Sequence, residues 1–582
     1  MDVDKRDYEY YKEHAKDVQL EDITSSEHNA YLLEMIRDGD SDWNGKVFLL
    51  EEEVDGDPDE FVVREGDDLG WLGYFLGSSE HVLELNMRYF PHRRTDAMNE
   101  FMDGFKHNKS LEALYISTDL GRDGFKSLGE LLRSNENLER LCLHEFMIGE
   151  FSARGIASML GQEQCKSLRY LFFVQNSLCL AGLTYIVTAL RKQPQLEELK
   201  ICGCNNFDGD GCFALGSTFE CWEGASLRCL YLCHNNIGDN GLEALVKGMA
   251  KCNYLEALVL SGNPGITREG CYSLSNFLRS KSCCLEMLAL DQTNVEGYGV
   301  TALAAGLSSN LSLKQLCLAG NSICDEGVNA LVHCLPNCRN LEELDLSDNV
   351  DGGFSAVGLK YLTKAFQPGS NLKNLLLRDN DIDDKGLMAL TEGMANNCSI
   401  TKLDLSRNGR ITPEGLKNLL RSGRSCLKEL ELWGIRIGDD GAKVLADELV
   451  GNTTLERLYF CPGYSNIRAK GWKAFSRLLC DGSSVNDTYA SNHTISNICS
   501  QHSLGAPSLT RFHVFLNQHF DSKDAATLKI LIHHRDIDMM PFFRWRLMFL
   551  PLVVDWFQRA MPCYEAIFQA IPRADILQAI DW

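Results

Sequence analysis

One stretch of the chain has the residue types and spacing of a cation site. Asp40, Asp42 and Asn44 fall at loop positions 1, 3 and 5, Gly45 at 6 and Glu51 at 12. A hard cation such as calcium takes six or seven oxygens, and an EF-hand loop supplies them at this spacing. Residues 29–37 read as an entering helix, but Gly56 and Pro58 leave little room for an exit helix. The competing reading makes residues 46–52 a strand of an N-terminal capping layer and the acidic run a solvated loop. It is preferred, since no second loop completes a pair. Asp40, Asp42, Asn44 and Glu51 remain the residues that calcium would need.

Other chemistry-bearing groups are sparse. Cys202 and Cys233 occupy one column of adjacent predicted strands, with His234 alongside. Three such ligands without a fourth, and without a CxxC pair, read as surface thiols rather than a zinc site. His533 and His534 read as solvated or hydrogen-bonded side chains. No phosphate loop, nucleophile elbow, HExxH helix or Ser-His-Asp signature occurs. The expectation is a non-enzymatic chain without cofactor or resident metal.

The elements that carry these residues follow from a repeat. Segments of the form Leu-x-x-Leu-x-Leu begin at Leu111, Leu138, Leu168, Leu196, Leu227, Leu255, Leu285, Leu313, Leu341, Leu372, Ile400, Leu427 and Leu455, a period of about 29 residues. In residues 227–254, Leu227, Leu230 and Leu232 point inward from a strand, and Ile237 turns the chain into the core. Gly241 opens a helix whose Leu242, Leu245 and Met249 recur at helical spacing. One such unit cannot close a core, so neighbours must stack into a parallel sheet backed by helices.

Two further columns fix the register. Asn stands ninth in seven repeats (Asn176, Asn235, Asn263, Asn321, Asn349, Asn380, Asn408), where a buried amide can satisfy the backbone as the strand turns away. Gly opens the helix in all thirteen, from Gly124 to Gly471, as close backbone approach requires. The 23 cysteines are odd in number and dispersed, so reduced thiols are expected; several precede a repeat's first Leu, including Cys252, Cys284, Cys338 and Cys426, and read as buried packing groups.

The pattern LxxLxLxxN followed by IxDxGxxxLxxxL resembles the ribonuclease-inhibitor type of leucine-rich repeat, found also in Ran GTPase-activating proteins and in the sensor arms of NOD-like receptors. The resemblance covers roughly residues 75–487. With the acidic start and the tail NDTYASNHTISNIC, the chain also resembles a group of little-characterised algal repeat proteins. The resemblance implies an α/β solenoid horseshoe, its parallel sheet on the concave face and helices on the convex one. It implies no particular function, because relatives share the scaffold and differ in partner. The nucleotide loop of NOD-like receptors is missing, and no catalytic arginine of the GTPase activators can be matched.

The expected organisation is an acidic arm and capping segment at 1–66, the horseshoe at 67–487 with a degenerate first repeat at 67–87, and a terminal strand with a helical C-terminal cap at 488–582. The tail's Phe542, Phe543, Trp545, Phe549, Trp556 and Phe557 would seal the last repeat, or alternatively dock a partner.

Of the net charge of -24, residues 1–70 hold 23 acidic and 7 basic side chains. No clustered basic face is present, which argues against nucleic acid and anionic membrane as partners. The start lacks an apolar signal core and no uninterrupted span is long enough for a membrane, so a cytoplasmic or nuclear location is expected.

A protein partner then remains, bound through repeat positions 3, 5, 7 and 8, which project from the strands. Tyr115, Phe172 and Tyr231 lie there in early repeats; Asp345, Arg378, Asp404, Arg407, Glu431, Trp433 and Tyr459 lie there in late ones. Aromatic groups beside arginine are the material of interface hot spots. A protein-binding scaffold or adaptor is the leading reading, with a calcium-responsive regulator or a regulator of an enzyme as alternatives. Partner identity and oligomeric state are not encoded in any motif.

Overall fold

Each Leu-x-x-Leu-x-Leu segment becomes a short strand whose leucines are shut inside: Leu230, Leu258, Leu375, Leu403 and Leu430 are all fully buried. The computed structural model describes residues 6–534, apart from 41–42, 53–58, 65–66, 91–94, 162–166, 205–206, 223–225, 281, 336–337, 353–354, 367–369, 395–398, 422–425 and 500–505. Asp42 and the six tail aromatics named above lie outside the described residues.

The chain divides into two units, 1–315 and 316–582. In the first, strands Glu60–Val62, Lys46–Leu50, Glu84–Met87, Ala113–Ile116, Arg140–His144, Tyr170–Val174, Glu198–Cys202, Cys229–Tyr231, Ala257–Val259 and Met287–Ala289 lie side by side, every pairing parallel. In the second, Glu343–Asp345, Asn374–Leu376, Lys402–Asp404, Glu429–Glu431, Arg457–Tyr459 and Asn497–Ile498 do the same. This is an α/β repeat architecture, since helices follow the strands and bury one apolar stripe each. Helix Asp239–Met249 buries Leu242, Leu245 and Met249, the set expected from its spacing.

The ninth-position asparagines form a polar ladder. Asn349 Oδ1 accepts from Asn321 N (3.0 Å) and Ile323 N (2.9 Å), while its Nδ2 donates to Leu346 O (2.9 Å) and Leu318 O (3.3 Å). Asn235 and Asn263 repeat the arrangement in the first unit, serving Cys204 N and Ile237 N. Buried backbone groups that the strand no longer pairs are thereby satisfied.

A second amide column sits three residues before the strand's first leucine. Asn108, Asn135, Asn310 and Asn492 are buried there, each carboxamide oxygen receiving the N–H of that residue: Leu111, Leu138, Leu313 and Ile495. Cys252 and Cys338 fill the same column and are buried, as expected, but Cys284 is exposed.

The helix-start glycines are set by close approach. A Cβ on Gly415 would lie 2.2 Å from Asp384 Oδ1, and one on Gly270 would lie 2.6 Å from Asp239 Oδ1. Those carboxylates cap the next repeat's helix: Asp239 accepts from Thr267 N, Thr267 Oγ1 and Gly270 N.

At the N-terminal end, helix Leu69–Ser78 and strand Glu84–Met87 supply the degenerate repeat. Helices Tyr8–His14 and Glu27–Asp38 pack beside it, Tyr11 being buried against Trp71 and donating to Glu100 Oε2 at 3.0 Å. The calcium reading meets a correction here. Where an exit helix was needed, Lys46–Leu50 is a strand paired with Glu84–Met87. Asn44 Oδ1 accepts from Lys46 N, its Nδ2 donates to Asp59 Oδ2, and Asp59 Oδ1 accepts from Trp43 Nε1. A strand-entry turn, rather than a helix-loop-helix, organises this loop.

Beyond the repeats, helices Ser508–His519 and Ser522–His533 pack on each other through Leu516 and Leu528, with Phe512, Phe515, Phe520 and Ile532 around them. Asn517 Nδ2 donates to Ile495 O at 2.8 Å, tying the first of these helices to the last repeat.

Candidate interaction surface

Odd strand positions face away from the leucine core, so register alone builds columns of unlike side chains in line. In the first unit one column runs Tyr115, Cys142, Phe172, Lys200, Tyr231. Tyr115, Phe172 and Tyr231, picked out by sequence, therefore do come together, all half-buried. Lys200 is the group sequence reasoning missed. Its Nζ lies 5.9 Å from the Phe172 ring centre and 5.7 Å from that of Tyr231, inside the range of cation–π attraction.

The neighbouring column places Arg140 over Tyr170, 4.9 Å from its centre, with Glu198 beyond. Burial pushes the Glu198 carboxyl above its usual range, although Lys200 and Arg140 pull the other way. Cys202 and Cys233 meet at 2.7 Å between sulfurs. The hydrogen bond between them holds the Cys233 thiol down, aided by Lys200. The ring of His234 lies over Gly262 of the next strand instead of completing a ligand set.

In the second unit Asp345, Leu376, Asp404, Glu431 and Tyr459 form one column, and Glu343, Asn374, Lys402, Glu429 and Arg457 another. Trp433, two positions beyond Glu431, stacks on Tyr459 with centroids 6.2 Å apart and planes at 14°, and its Nε1 donates to Glu431 Oε2 at 3.2 Å. Arg407 lies 3.8 Å from Asp379. Arg378 is half-buried, with no hydrogen-bond partner at Nε among the described residues.

Charges expected to stand open are partly spent on each other. Lys402 Nζ reaches Glu429 at 2.8 Å and Glu431 at 2.7 Å, and Arg457 Nε reaches Glu429 at 2.6 Å. Burial alone would raise the Glu429 carboxyl, but Lys402 and Arg457 outweigh it and hold it below its usual value. Asp345 and Asp404 accept from Ser347 N and Ser406 N two residues on. Lys402, Glu429 and Arg457 occupy the same projecting third position and were readable by that rule.

Position 8 of the repeat has a property that residue types conceal. Glu145, Gln175, Gly203, His234, Gly262, Gln292, Gly320, Asp348, Asp379, Arg407 and Gly434 all have positive φ, between 52° and 74°. The left-handed turn lifts these side chains off the end of every strand from the second regular repeat to the twelfth, at a cost for each residue that is not glycine.

A family model for leucine-rich repeats matches residues 225–246, 251–275, 337–350, 370–390 and 396–420. Porcine ribonuclease inhibitor is 26% identical over 374 residues, covering 64% of this chain and 80% of that protein. These are leucine-rich repeats of the ribonuclease-inhibitor-like type. The human NACHT, LRR and PYD domains-containing protein 5 is 28% identical over 338 residues, covering 56% of this chain; the chain spans only 27% of that relative's length. Among solved structures, a chain from the Rad7 and Elc1 complex in yeast matches at 19% identity with a TM-score of 0.40, covering 64% of this chain and 81% of that one. Among the described residues no helix of this leucine-rich-repeat chain is long and apolar enough to cross a membrane.

Proposed function

We propose that the chain is a non-catalytic scaffold that binds another protein through the outward side chains of its strands. The carrying observation is the half-buried Trp433–Tyr459 stack, flanked by Glu431 with its partner Lys402 and by Arg457, with Arg407 on the preceding turn bonded through its backbone to Trp433 O. A rigid aromatic pair already desolvated on one side loses little conformational freedom on binding, and surrounding charges set orientation and partner choice. Ribonuclease-inhibitor-like relatives support the reading at the level of the scaffold. The strongly acidic N-terminal segment suits a partner that carries basic groups.

The test uses the tagged full chain, with partners recovered from its native cells and then titrated against variants. A Trp433→Ala, Arg407→Glu variant should bind at least about thirtyfold more weakly, as loss of a hot spot of about 2 kcal/mol requires. Lys247→Glu, on an exposed helix position, should bind as wild type. Equal binding by all three forms would remove the strand face from consideration.

A further inference from the structure

Three side chains separated by 53 residues of sequence converge beyond the last repeat. Cys480 caps helix Ala469–Leu479, His513 lies in helix Ser508–His519 and His533 ends helix Ser522–His533. One ligand atom from each lies within 4.8 Å of the other two. The two imidazoles face each other through their Nε2 atoms at 3.0 Å, with ring planes at 53°. His533 does not pair with its neighbour His534, whose Nε2 meets Thr488 Oγ1 at 2.7 Å instead.

We propose that Cys480, His513 and His533 form a binding site for a divalent transition-metal ion of the zinc type. Zinc takes nitrogen at about 2.0 Å and thiolate sulfur at about 2.3 Å in a tetrahedron, which puts two ligating nitrogens about 3.3 Å apart. The histidine pair already stands near that spacing at 3.0 Å, and the sulfur, within 4.8 Å of both nitrogens, needs to close to about 3.5 Å. Cys480 and His513 are buried and His533 is more open, so the ion enters from the His533 side and water fills the fourth position.

Ligation uses the neutral form of each imidazole. With its Nε2 turned to His533, His513 keeps its Nδ1 buried and without a hydrogen-bond partner among the described residues. Binding exchanges the Cys480 thiol proton for the metal: thiol plus M(II) gives thiolate-bound metal plus H⁺. Buried Lys529 nearby donates from its Nζ to Leu479 O, Asn492 O and Asn517 Oδ1 and lies 3.1 Å from His493 Nδ1.

The probe is Co(II), titrated into the chelator-treated full-length chain. The expected result is one equivalent bound with tetrahedral d–d absorption and a thiolate-to-cobalt charge-transfer band, both displaced by Zn(II). Cys480→Ser should abolish the charge-transfer band. His533→Gln, at the open edge where folding is least at stake, should weaken binding at least tenfold with an unchanged circular-dichroism spectrum of the metal-free chain. Absence of both absorptions in the wild type, or a charge-transfer band that survives Cys480→Ser, overturns the site and leaves a plain hydrogen-bonded histidine pair.

Discussion

Trp433, two residues past the end of its strand, and Tyr459, on the next strand, hold their rings nearly parallel with 6.2 Å between centroids. Aromatic pairs of this kind are coupled by about 0.5 to 1.5 kcal/mol beyond the area they bury. Chemical denaturation of Trp433→Ala, Tyr459→Ala and the double variant should therefore give a coupling of that size. Strict additivity would show that the rings are neighbours without interacting.

The Lys402–Glu429–Arg457 group makes stability acid-sensitive. Glu429 is held below its ordinary value near 4.5, so its contribution is fully present above that pH and is lost as pH falls through the lower, folded-state value. Its side chain is only 12% exposed, so screening is modest. Lys402→Met should flatten the fall in melting temperature between neutral pH and pH 3, and should destabilise the neutral protein by about 1 to 3 kcal/mol, as loss of one partner of a charged hydrogen bond does. An unchanged acid profile in this variant would show that other carboxylates govern it.

Removal of the Asn349 side chain takes away the acceptor of the Asn321 and Ile323 N–H groups and the amide donor to Leu318 O, while Leu346 O keeps Asn380 Nδ2 and Ser347 O keeps Gly320 N. Asn349→Ala should cost about 2 to 3 kcal/mol, in the same range as the cavity left by Leu344→Ala. Urea unfolding compares the two. A cost under half a kilocalorie for the asparagine would mean that water replaces the amide.

The left-handed column predicts opposite signs for opposite exchanges. Gly434, with φ of 74°, should resist a side chain, so Gly434→Ala should destabilise by about 1 to 2 kcal/mol. Gln175→Gly, at φ of 56°, removes that strain and should leave stability unchanged or slightly raised. A loss at Gln175 equal to that at Gly434 would refute backbone conformation as the cause.

What the sequence made legible is what recurs. Leucine spacing located the strands, and the ninth-position asparagines and helix-start glycines located the turns, because each answers one fixed physical need per repeat. The position-8 column was invisible: Glu145, His234, Asp348 and Arg407 share a backbone angle and no side-chain chemistry. The second amide column was diluted by Cys252 and Cys338 in the same slot. The meeting of Cys480 with His513 and His533 follows no period, since it depends on how two helices fold back once the repeat ends. On the strand face, the rule for projecting positions says which residues share a column, but not which charges pair with one another.

The asparagine ladder also has a direction. Asn349 closes the turn of the repeat before it, Asn380 closes that of Asn349 through its backbone N–H, and Asn408 closes that of Asn380. A nascent chain therefore cannot finish any of these repeats until the following one has left the ribosome, so maturation trails synthesis by one repeat. A stop within the array leaves its newest unit open to water, to proteases and to chaperones, whereas loss from the front leaves every later closure in place.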